Sequence, residues 1–245
     1  TRGLHNFGIV GLADKAVEEA RDRLSAAIRH SGYKPPKQQN KRIVLSLSPA
    51  DLKKEGSHYD LALALAYLIA AGDVPTPTEE MLLIGELALD GTLRTVKGVL
   101  PQVLAAKRRG VKTIFVPPGN TREALLAEGL TIYAPQSLAD LLHHIKGEKP
   151  LPRQVRDRRT ALPPPALDLS DVKGQESAKR ALEIAAAGRH NIVFYGPPGT
   201  GKTMLARALA GILPPLSDDD MLEVTAIHST AGLLNDGDAV YWPPF

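Results

Sequence analysis

The octapeptide GPPGTGKT at residues 196–203 is the sequence feature that most constrains the fold of this chain. It follows HNIVFYG, an apolar stretch that predicts a strand, and it precedes the helical pattern KTMLARALAGIL. The octapeptide matches G-x-x-x-x-G-K-[ST] in the strand–turn–helix context that a phosphate-binding loop requires. The residues after position 167 are therefore predicted to form an α/β fold around this loop.

Each residue type in the octapeptide has a physical reason to hold phosphate. Glycines let the backbone turn its N–H groups toward an anion, and the helix that starts there adds its positive N-terminal end. Lys202 is predicted to reach the β and γ phosphates of ATP, and the Thr203 hydroxyl to ligate Mg²⁺. A loop without a ligand role is the alternative, and the full match in its context disfavours it. The predicted nucleotide-binding residues of the loop are Gly196, Pro197, Pro198, Gly199, Thr200, Gly201, Lys202 and Thr203.

The first 147 residues show a mixed α/β pattern. FGIVG and RIVLSLSPA predict strands, and a helix capped by Asp14 and ended by Gly32 lies between them. The run DLALALAYLIAAG predicts a helix started and capped by Asp60 and closed by Gly72. Asp90-Gly91 predicts a two-residue hairpin turn between flanking apolar strands. Helices and strands alternate after it, so a two-layer mixed α/β domain is expected over residues 1–147.

A basic, proline-rich stretch, KGEKPLPRQVRDRRTALPPPALD, interrupts these patterns. Its composition predicts a semi-rigid linker over residues 148–167, which separates the first domain from a second over residues 168–245. Four of its arginines are candidates for contact with nucleic-acid phosphates: Arg153, Arg156, Arg158 and Arg159. A solvated tether is the more ordinary interpretation of such a charge run.

Composition narrows the class of protein. The chain has no cysteine, which excludes disulfides and thiolate metal sites, and its hydrophobic content of 43% and charged content of 23% are those of a globular protein. The longest apolar run, Leu61–Ala71, is too short for a membrane helix, and the first residues lack a signal pattern. A cytoplasmic location is expected. The net charge of +3 is compatible with nucleic acid as a partner and does not require it.

The stretch LDLSDVKGQESAKRALEIAAAG before the loop, together with the loop itself, resembles the AAA+ ATPases. In that class a D-V-x-G-Q box lines the adenine pocket, and the resemblance implies that Val172 and Gly174 contact the base. No apolar strand ending in Asp-Glu follows Thr203, although hydrolysis needs a second acidic motif for the metal. We therefore expect residues 1–245 to bind nucleotide without turning it over on their own.

Four further stretches narrow the resemblance: FGIVGLADKAVEEARDRLSAAIRHSGY, LSPADLKKEGSHYDLALALA, GELALDGTLRTVKGVLP and LEVTAIHSTAGLL. Together they resemble the magnesium-chelatase-like AAA+ ATPases of the ComM/YifB type. The resemblance implies a non-proteolytic, Lon-protease-like domain followed by the truncated start of a AAA+ module. It also implies a cytoplasmic hexameric ring that uses ATP and Mg²⁺ to remodel branched or single-stranded DNA in homologous recombination and natural transformation. A chelatase subunit that drives Mg²⁺ into a porphyrin is the alternative, and the additional first domain counts against it.

A Lon-like serine protease is the third candidate, because KKEGSHYD places Ser57 beside His58. Lon-type proteases use a serine–lysine dyad, and their serine loop aligns with Lys54-Glu55-Gly56. This alignment puts His58 at the nucleophile position and Leu100 at the lysine position, with Lys97 three residues early. The alignment therefore gives Ser57 no lysine at hydrogen-bond distance, and a serine without such a base is not activated. No peptidase catalytic residue is therefore predicted.

Overall fold

The computed structural model describes residues 6–12, 14–49, 51–156, 167–234 and 238–243. Helices and strands are mixed along these residues, which confirms the predicted α/β class. The helices are α1 Lys15–His30, α2 Asp60–Ala71, α3 Val99–Arg108, α4 Thr121–Ala124, α5 Leu138–Ile145, α6 Glu176–Gly188, α7 Lys202–Ile212 and α8 Asp218–Ala231. The strands are β1 Asn6–Val10, β2 Arg42–Ser46, β3 Met81–Leu83, β4 Glu86–Leu87, β5 Leu93–Arg94, β6 Thr113–Phe115 and β7 Thr131–Tyr133. None of the helices in these ranges is long and apolar enough to cross a membrane.

The described residues fall into two compact units. The first unit is drawn from Thr1–Arg156 with Ala226–Asp238, and the second from Asp157–Thr225 with Ala239–Phe245. The predicted first domain ends at residue 147, whereas the first unit continues to Arg156 and also includes the segment Ala226–Asp238, which contains the last residues of α8. Buried polar groups of this segment contact the rest of the first unit, and no local sequence pattern predicts these contacts.

Three small sheets form the first unit. Strands β1 and β2 are parallel and are connected by α1, with Phe7 opposite Ile43. Strands β3, β6 and β7 form a parallel sheet in that order, and β4 and β5 form an antiparallel hairpin. The predicted cap of α1 is present, since Asp14 Oδ1 accepts a hydrogen bond of 2.8 Å from the Val17 amide.

The core of the first unit lies between α1, α2, α5 and the sheets. Helix α1 contributes one apolar stripe, and α2 is buried on most of its surface, as its nearly continuous run of leucine and alanine predicts. The fully buried large side chains that form the centre of this core include Leu24, Ile28, Leu61, Leu68, Leu87, Phe115, Leu138 and Leu141. Each contributes about 1.5–3 kcal/mol of burial free energy.

Asp60 starts helix α2 as predicted, but its side chain does not cap the helix. The residue is 1% exposed, and its carboxylate accepts two hydrogen bonds from Arg23, at 2.7 and 3.1 Å, and one of 3.1 Å from the Leu87 amide. A buried carboxylate needs a charged partner more than a helix end needs a cap, because desolvation of an unpaired charge costs more. Gly72 closes the helix in the left-handed conformation, with φ of 83°.

The hairpin at Asp90-Gly91 is present, but its loop has three residues rather than two. The Ala88 amide donates to the Thr92 carbonyl at 2.9 Å, so Leu89, Asp90 and Gly91 form the loop. Gly91 adopts φ of 81°, the left-handed position that three-residue hairpin loops require. Asp90 accepts hydrogen bonds from the Thr92 amide and hydroxyl, which closes the turn.

The first part of the predicted linker is packed against the first unit. Arg153 forms an antiparallel bridge with Tyr133, and the Gln154 amide donates to the Ile132 carbonyl at 2.9 Å. Leu151 packs against the core. This apolar contact and the hydrogen bonds to the sheet edge explain why the segment is ordered, although its proline content predicted a linker. Residues 157–166 of the predicted linker lie outside the described residues.

The second unit is built around α6 and α7. Its small core contains Val172, Leu182, Leu205 and Ala208. The strand predicted at HNIVFYG is absent from the described part of the chain, where Val193 is 89% exposed and Tyr195 fully exposed. An extended segment becomes a strand only when its backbone groups pair with a neighbour, and the described residues of this unit supply none.

Candidate functional site

The octapeptide forms a tight loop that leads directly into α7. Helix α7 begins at Lys202, and Gly201 precedes it in the left-handed conformation with φ of 82°. Gly199 adopts φ of 81° and Gly196 φ of 157°. These are conformations that side-chain-bearing residues avoid, so the three glycines permit a backbone path that other residues would strain.

The Lys202 side chain folds back over this loop. Its Nζ donates to the Gly196 carbonyl at 2.9 Å and to the Pro197 carbonyl at 2.5 Å, and it lies 3.4 Å from the Thr200 hydroxyl. Thr200 itself donates to the Pro197 carbonyl at 3.0 Å. The loop therefore closes around one ammonium group, which brings the positive charge to the N-terminal end of a helix of eleven residues.

This arrangement fits an anionic phosphate ligand. The hydrogen-bond partners that the described residues give the Lys202 ammonium are neutral oxygens, so its charge remains available to an anion. Residues Pro197 to Gly201 are exposed, which leaves the loop open to solvent. Thr203 follows on the first turn of α7 and is also exposed, so its hydroxyl is accessible to a metal ion bound with the phosphates.

The predicted adenine box lies beside the loop. Val172 is 5% exposed and packs in the core of the second unit with Leu205 of α7, so it fixes the box against the helix that carries Lys202. Gly174 adopts φ of 68°, and Gln175 after it is also left-handed with φ of 61°. The contact of either Val172 or Gly174 with a base stays a prediction.

Gln175 is a residue that sequence reasoning missed. Its Nε2 lies 3.5 Å from the Thr200 carbonyl, at the outer limit of a hydrogen bond, and so connects the box to the loop. The signal for it was present in the sequence, because glutamine closes the D-V-x-G-Q pattern that was assigned to the base alone.

The four candidate DNA-binding arginines are not gathered into one site by the described residues. The Arg153 guanidinium donates to the Leu130 carbonyl at 3.2 Å, within the first unit. Arg156 also has an interaction partner. Arg158 and Arg159 lie outside the described residues.

The contacts of Ser57 and its neighbours hold this loop in place. The Ser57 hydroxyl donates to the Glu86 carboxylate, and the Gly56 amide donates to Asp14 at 3.0 Å. His58 is half-buried, and this desolvation lowers its pKa below the ordinary value. A carboxylate accepts the hydroxyl proton in a hydrogen bond but is a weak base at neutral pH, so this contact orients Ser57 more than it activates it.

Lys54 and Lys97, the lysines compared with the Lon dyad, have other surroundings. Lys54 is buried and donates to the carbonyls of Pro49 and Leu52. Lys97 lines a cavity of about 440 Å³ together with Asn120, Glu123 and Ser229. Leu100, at the position that aligns with the Lon lysine, is fully buried.

No cluster of three or more histidine, aspartate or glutamate side chains suited to a metal occurs within the residues that the structure describes. The Thr203 hydroxyl stays the predicted metal ligand, in combination with bound nucleotide phosphates.

Two family models match the chain on either side of the basic stretch. The first is described as subunit ChlI of Mg-chelatase and matches residues 1–120, and the second is described as magnesium chelatase, subunit ChlI, and matches residues 168–245. The second match contains the glycine-rich octapeptide at residues 196–203. The chain therefore carries domains of the magnesium-chelatase ChlI family.

Curated relatives match nearly the whole chain. An uncharacterised protein of Mycobacterium tuberculosis is 47% identical over 247 residues, which cover 100% of this chain and 48% of the relative. The uncharacterised protein YifB of Escherichia coli is 44% identical over 94% of this chain and 44% of the relative. The competence protein ComM of Haemophilus influenzae is 39% identical over 94% of this chain and 45% of the relative. The resemblance to the ComM/YifB type is thereby confirmed.

The chain spans about half the length of these curated relatives. A shorter match relates it to the archaeal Lon protease of Methanocaldococcus jannaschii, at 29% identity over 103 residues, which cover 42% of this chain and 16% of that protein. The similarity to Lon therefore concerns less than half of the chain.

Proposed function

We propose that this chain is the ATP-binding part of a ComM-like AAA+ motor that remodels DNA during homologous recombination and DNA uptake. The loop conformation around Lys202 carries the nucleotide part of the proposal. The DNA part rests on family membership and on one relative, which is named a competence protein. We infer the cytoplasm as the compartment where such a motor would meet DNA.

The proposed layout has three parts. Residues 1–147 form a Lon-protease-like domain without peptidase activity, residues 148–167 connect it to the rest, and residues 168–245 begin a AAA+ module that acts in a hexameric ring. The match to an archaeal Lon protease supports the first assignment, and the loop supports the last. Residues 148–156 belong to the first unit, so the proposed connection is shorter than the sequence predicts.

The residues present fit ATP and Mg²⁺. The backbone amides of Gly199 and Gly201 are suited to surround a phosphate, and the Lys202 ammonium to neutralise its charge. The Thr203 hydroxyl would hold the metal, and the region from Val172 to Gln175 would lie near the base only if the box acts as the resemblance implies. When bound, ATP with Mg²⁺ supplies the phosphoanhydride bond whose hydrolysis releases free energy.

A magnesium-chelatase ATPase subunit is the second candidate, because both matching family models carry that description. The two functions share the phosphate-binding loop and differ in the partner that stimulates hydrolysis. A DNA motor responds to branched DNA, whereas a chelatase subunit responds to a porphyrin together with its partner subunits.

Nucleotide binding is tested on residues 1–245 with a fluorescent ATP analogue. Lys202→Ala is expected to weaken binding by at least tenfold, since a charge-assisted contact to phosphate is worth about 1.5–3 kcal/mol. Arg180→Ala is the matched control, because Arg180 forms an exposed pair with Glu183 on α6 of the same unit. Equal affinity in the wild type and Lys202→Ala would contradict the assignment of the loop.

The rate of ATP hydrolysis is measured on a protein that has the full length of the relatives, with and without forked or four-way DNA. Stimulation by DNA that is lost in Lys202→Ala would support the motor. Stimulation by a porphyrin with partner subunits, and not by DNA, would favour the chelatase subunit instead. Weakened DNA binding in Arg156→Ala, Arg158→Ala and Arg159→Ala combined, with loss at high salt, would add the basic stretch to the DNA contact.

A further inference from the structure

Residues 148–154, here called the strap, run from the end of α5 to β7 at the edge of the three-stranded sheet. At one end of the strap, the amides of Glu148 and Lys149 donate to the His143 carbonyl at 2.9 and 3.2 Å. At the other end, Arg153 bridges Tyr133, and the Gln154 amide donates to the Ile132 carbonyl. Between these ends the Leu151 side chain packs against the core, and the Leu151 amide makes one further hydrogen bond.

A histidine side chain holds the Leu151 backbone. The Leu151 amide donates to His144 Nδ1 at 2.9 Å. A backbone amide is only a donor, so Nδ1 must present a lone pair and the neutral ring must carry its proton on Nε2. The backbone of the strap is thus bound at its middle through a group that titrates near neutral pH.

The His144 ring is packed among aromatic side chains. Its centroid lies 4.6 Å from that of Tyr133 and 5.5 Å from that of Phe115, which it meets edge-on. The ring also lines a cavity of about 250 Å³ with Glu79 and Thr113. Packing of this kind disfavours a charged imidazolium, and burial accordingly lowers the pKa of His144.

The charged and titratable groups around His144 come from every neighbouring element. On α5 and just after it, Asp140 bonds the Ser137 hydroxyl at 3.0 Å and Lys146 donates to the Tyr33 hydroxyl at 2.6 Å. On the strap, Glu148 lies 2.6 Å from His143 Nδ1. The remaining groups are Glu79 before β3, Tyr133 on β7, and Lys149 and Arg153 of the strap. Glu79 lines the same cavity as His144.

We propose that His144 is a proton-controlled clasp: the neutral ring holds the strap against the sheet edge, and protonation of the ring releases it. Protonation places a hydrogen on Nδ1, which then faces the hydrogen of the Leu151 amide, so the acceptor is lost and two donors oppose each other. The direction in pH follows from the lowered pKa. The clasp is fully closed above the ordinary histidine value near 6.5 and opens as the pH falls through the lower value of the folded state.

Release has a defined consequence for the chain. The strap directly precedes residues 155–166, which lead to the second unit in sequence. Freeing seven residues adds about 20 Å of extended chain to that connection. The clasp is independent of the proposed nucleotide function, since none of its contacts involves the phosphate-binding loop.

Amide hydrogen exchange on residues 1–245 between pH 7.5 and pH 5.5, with an NMR titration of the His144 ring, tests the clasp. We expect the protection factors of Leu151 and Gln154, corrected for intrinsic exchange, to fall about tenfold as His144 titrates, because losing the hydrogen bond that the Leu151 amide donates to Nδ1 costs about 1.4 kcal/mol, which is a tenfold change. Protection of the α2 amides is expected to stay constant, which shows that the first unit remains folded. Unchanged strap protection while the His144 ring takes up its proton would overturn the proposal.

Two variants separate His144 from its neighbour. His144→Asn places an amide oxygen near the Nδ1 position and does not titrate, so the strap is expected to stay protected at both pH values. His143→Asn is the matched control, because His143 is half exposed and its ring contacts Glu148, and the pH response should persist in it. A pH response that persists in His144→Asn, or that disappears in His143→Asn, would show that a group other than His144 controls exchange in the strap. If His144→Asn loses α2 protection, the wild-type comparison of strap exchange with ring titration decides alone.

Discussion

Arg23 and Asp60 form a two-point ion pair inside the first unit, with Nε–Oδ2 and Nη2–Oδ1 distances of 2.7 and 3.1 Å. The Asp60 side chain is 1% exposed and the Arg23 side chain 18%. Burial raises the pKa of Asp60, and the hydrogen bond from Arg23 opposes that shift. The pair joins α1 to the start of α2, and the Leu87 amide ties β4 to the same carboxylate.

Arg23→Met is expected to lower the free energy of unfolding by about 3 kcal/mol at pH 7.5, because it leaves a buried carboxylate without its partner. Without Arg23 the pKa of Asp60 rises further, and a raised carboxyl pKa contributes stability below the unfolded value that is lost as the pH rises. The deficit should therefore be smaller at pH 4.5 than at pH 7.5 in urea unfolding followed by circular dichroism.

Lys37→Met is the control for that experiment. Lys37 pairs with Asp22 on the surface, and exposed pairs contribute less than about 1 kcal/mol. If Arg23→Met costs no more than Lys37→Met, the buried pair does not stabilise the unit in the way proposed.

Gly201→Ala is expected to weaken binding of an ATP analogue by about tenfold. Gly201 has φ of 82°, and a residue with a Cβ pays about 1–2 kcal/mol there or moves the loop. Isothermal titration calorimetry measures the loss. Gly211→Ala lies inside α7, where alanine is the better helix former, and it should bind as the wild type does. Similar affinities for the two variants would show that the loop conformation is not required.

Ser229→Ala is expected to destabilise the first unit by about 2 kcal/mol. The Ser229 hydroxyl donates to the buried Glu123 carboxylate at 2.6 Å, and hydrogen bonds to charged groups are worth about 1.5–3 kcal/mol. Thr230→Ala is the neighbouring control, since the Thr230 hydroxyl is exposed and bonds within its own helix. Thermal unfolding by calorimetry compares them, and equal melting temperatures for the two variants would contradict the expected contribution.

No peptide release from casein is expected from the wild-type chain or from Ser57→Ala. Ser57 is bound to Glu86, while Lys54 and Lys97 have other surroundings. The assay follows acid-soluble peptides, with a Lon-type protease alongside as the positive control. Peptide release by the wild type that Ser57→Ala abolishes would restore the protease candidate.

Local patterns predicted much of the framework. The cap at Asp14, the closing glycine at Gly72 and the β1–α1–β2 order follow from short-range spacing, and each is present. The loop at residues 196–203 is similar, because glycine positions and the following helix specify its backbone without distant partners. These features depend on residues within a few positions of each other, so one sequence is enough to find them.

Distant partners decide other features of the fold. The strand predicted at HNIVFYG is unpaired in the described residues, and a strand needs a neighbour that hydropathy alone does not provide. The linker predicted from proline and charge is partly ordered because Leu151 meets the core and His144 accepts its amide hydrogen bond. Composition indicates how polar a segment is on average, whereas its order depends on which of its groups pack or form hydrogen bonds elsewhere in the fold.

The sequence by itself determined the glycine-rich loop before α7, the mixed α/β class and the motifs that relate this chain to its relatives, since these depend on residue types at fixed short spacings. Only the tertiary structure decided that Asp60 pairs with Arg23, that Glu123 receives Ser229, and that His144 holds the strap. In each case a polar group is removed from water, and burial makes its partner obligatory. The partner stands where the fold brings it, 37, 106 and 7 positions away along the chain.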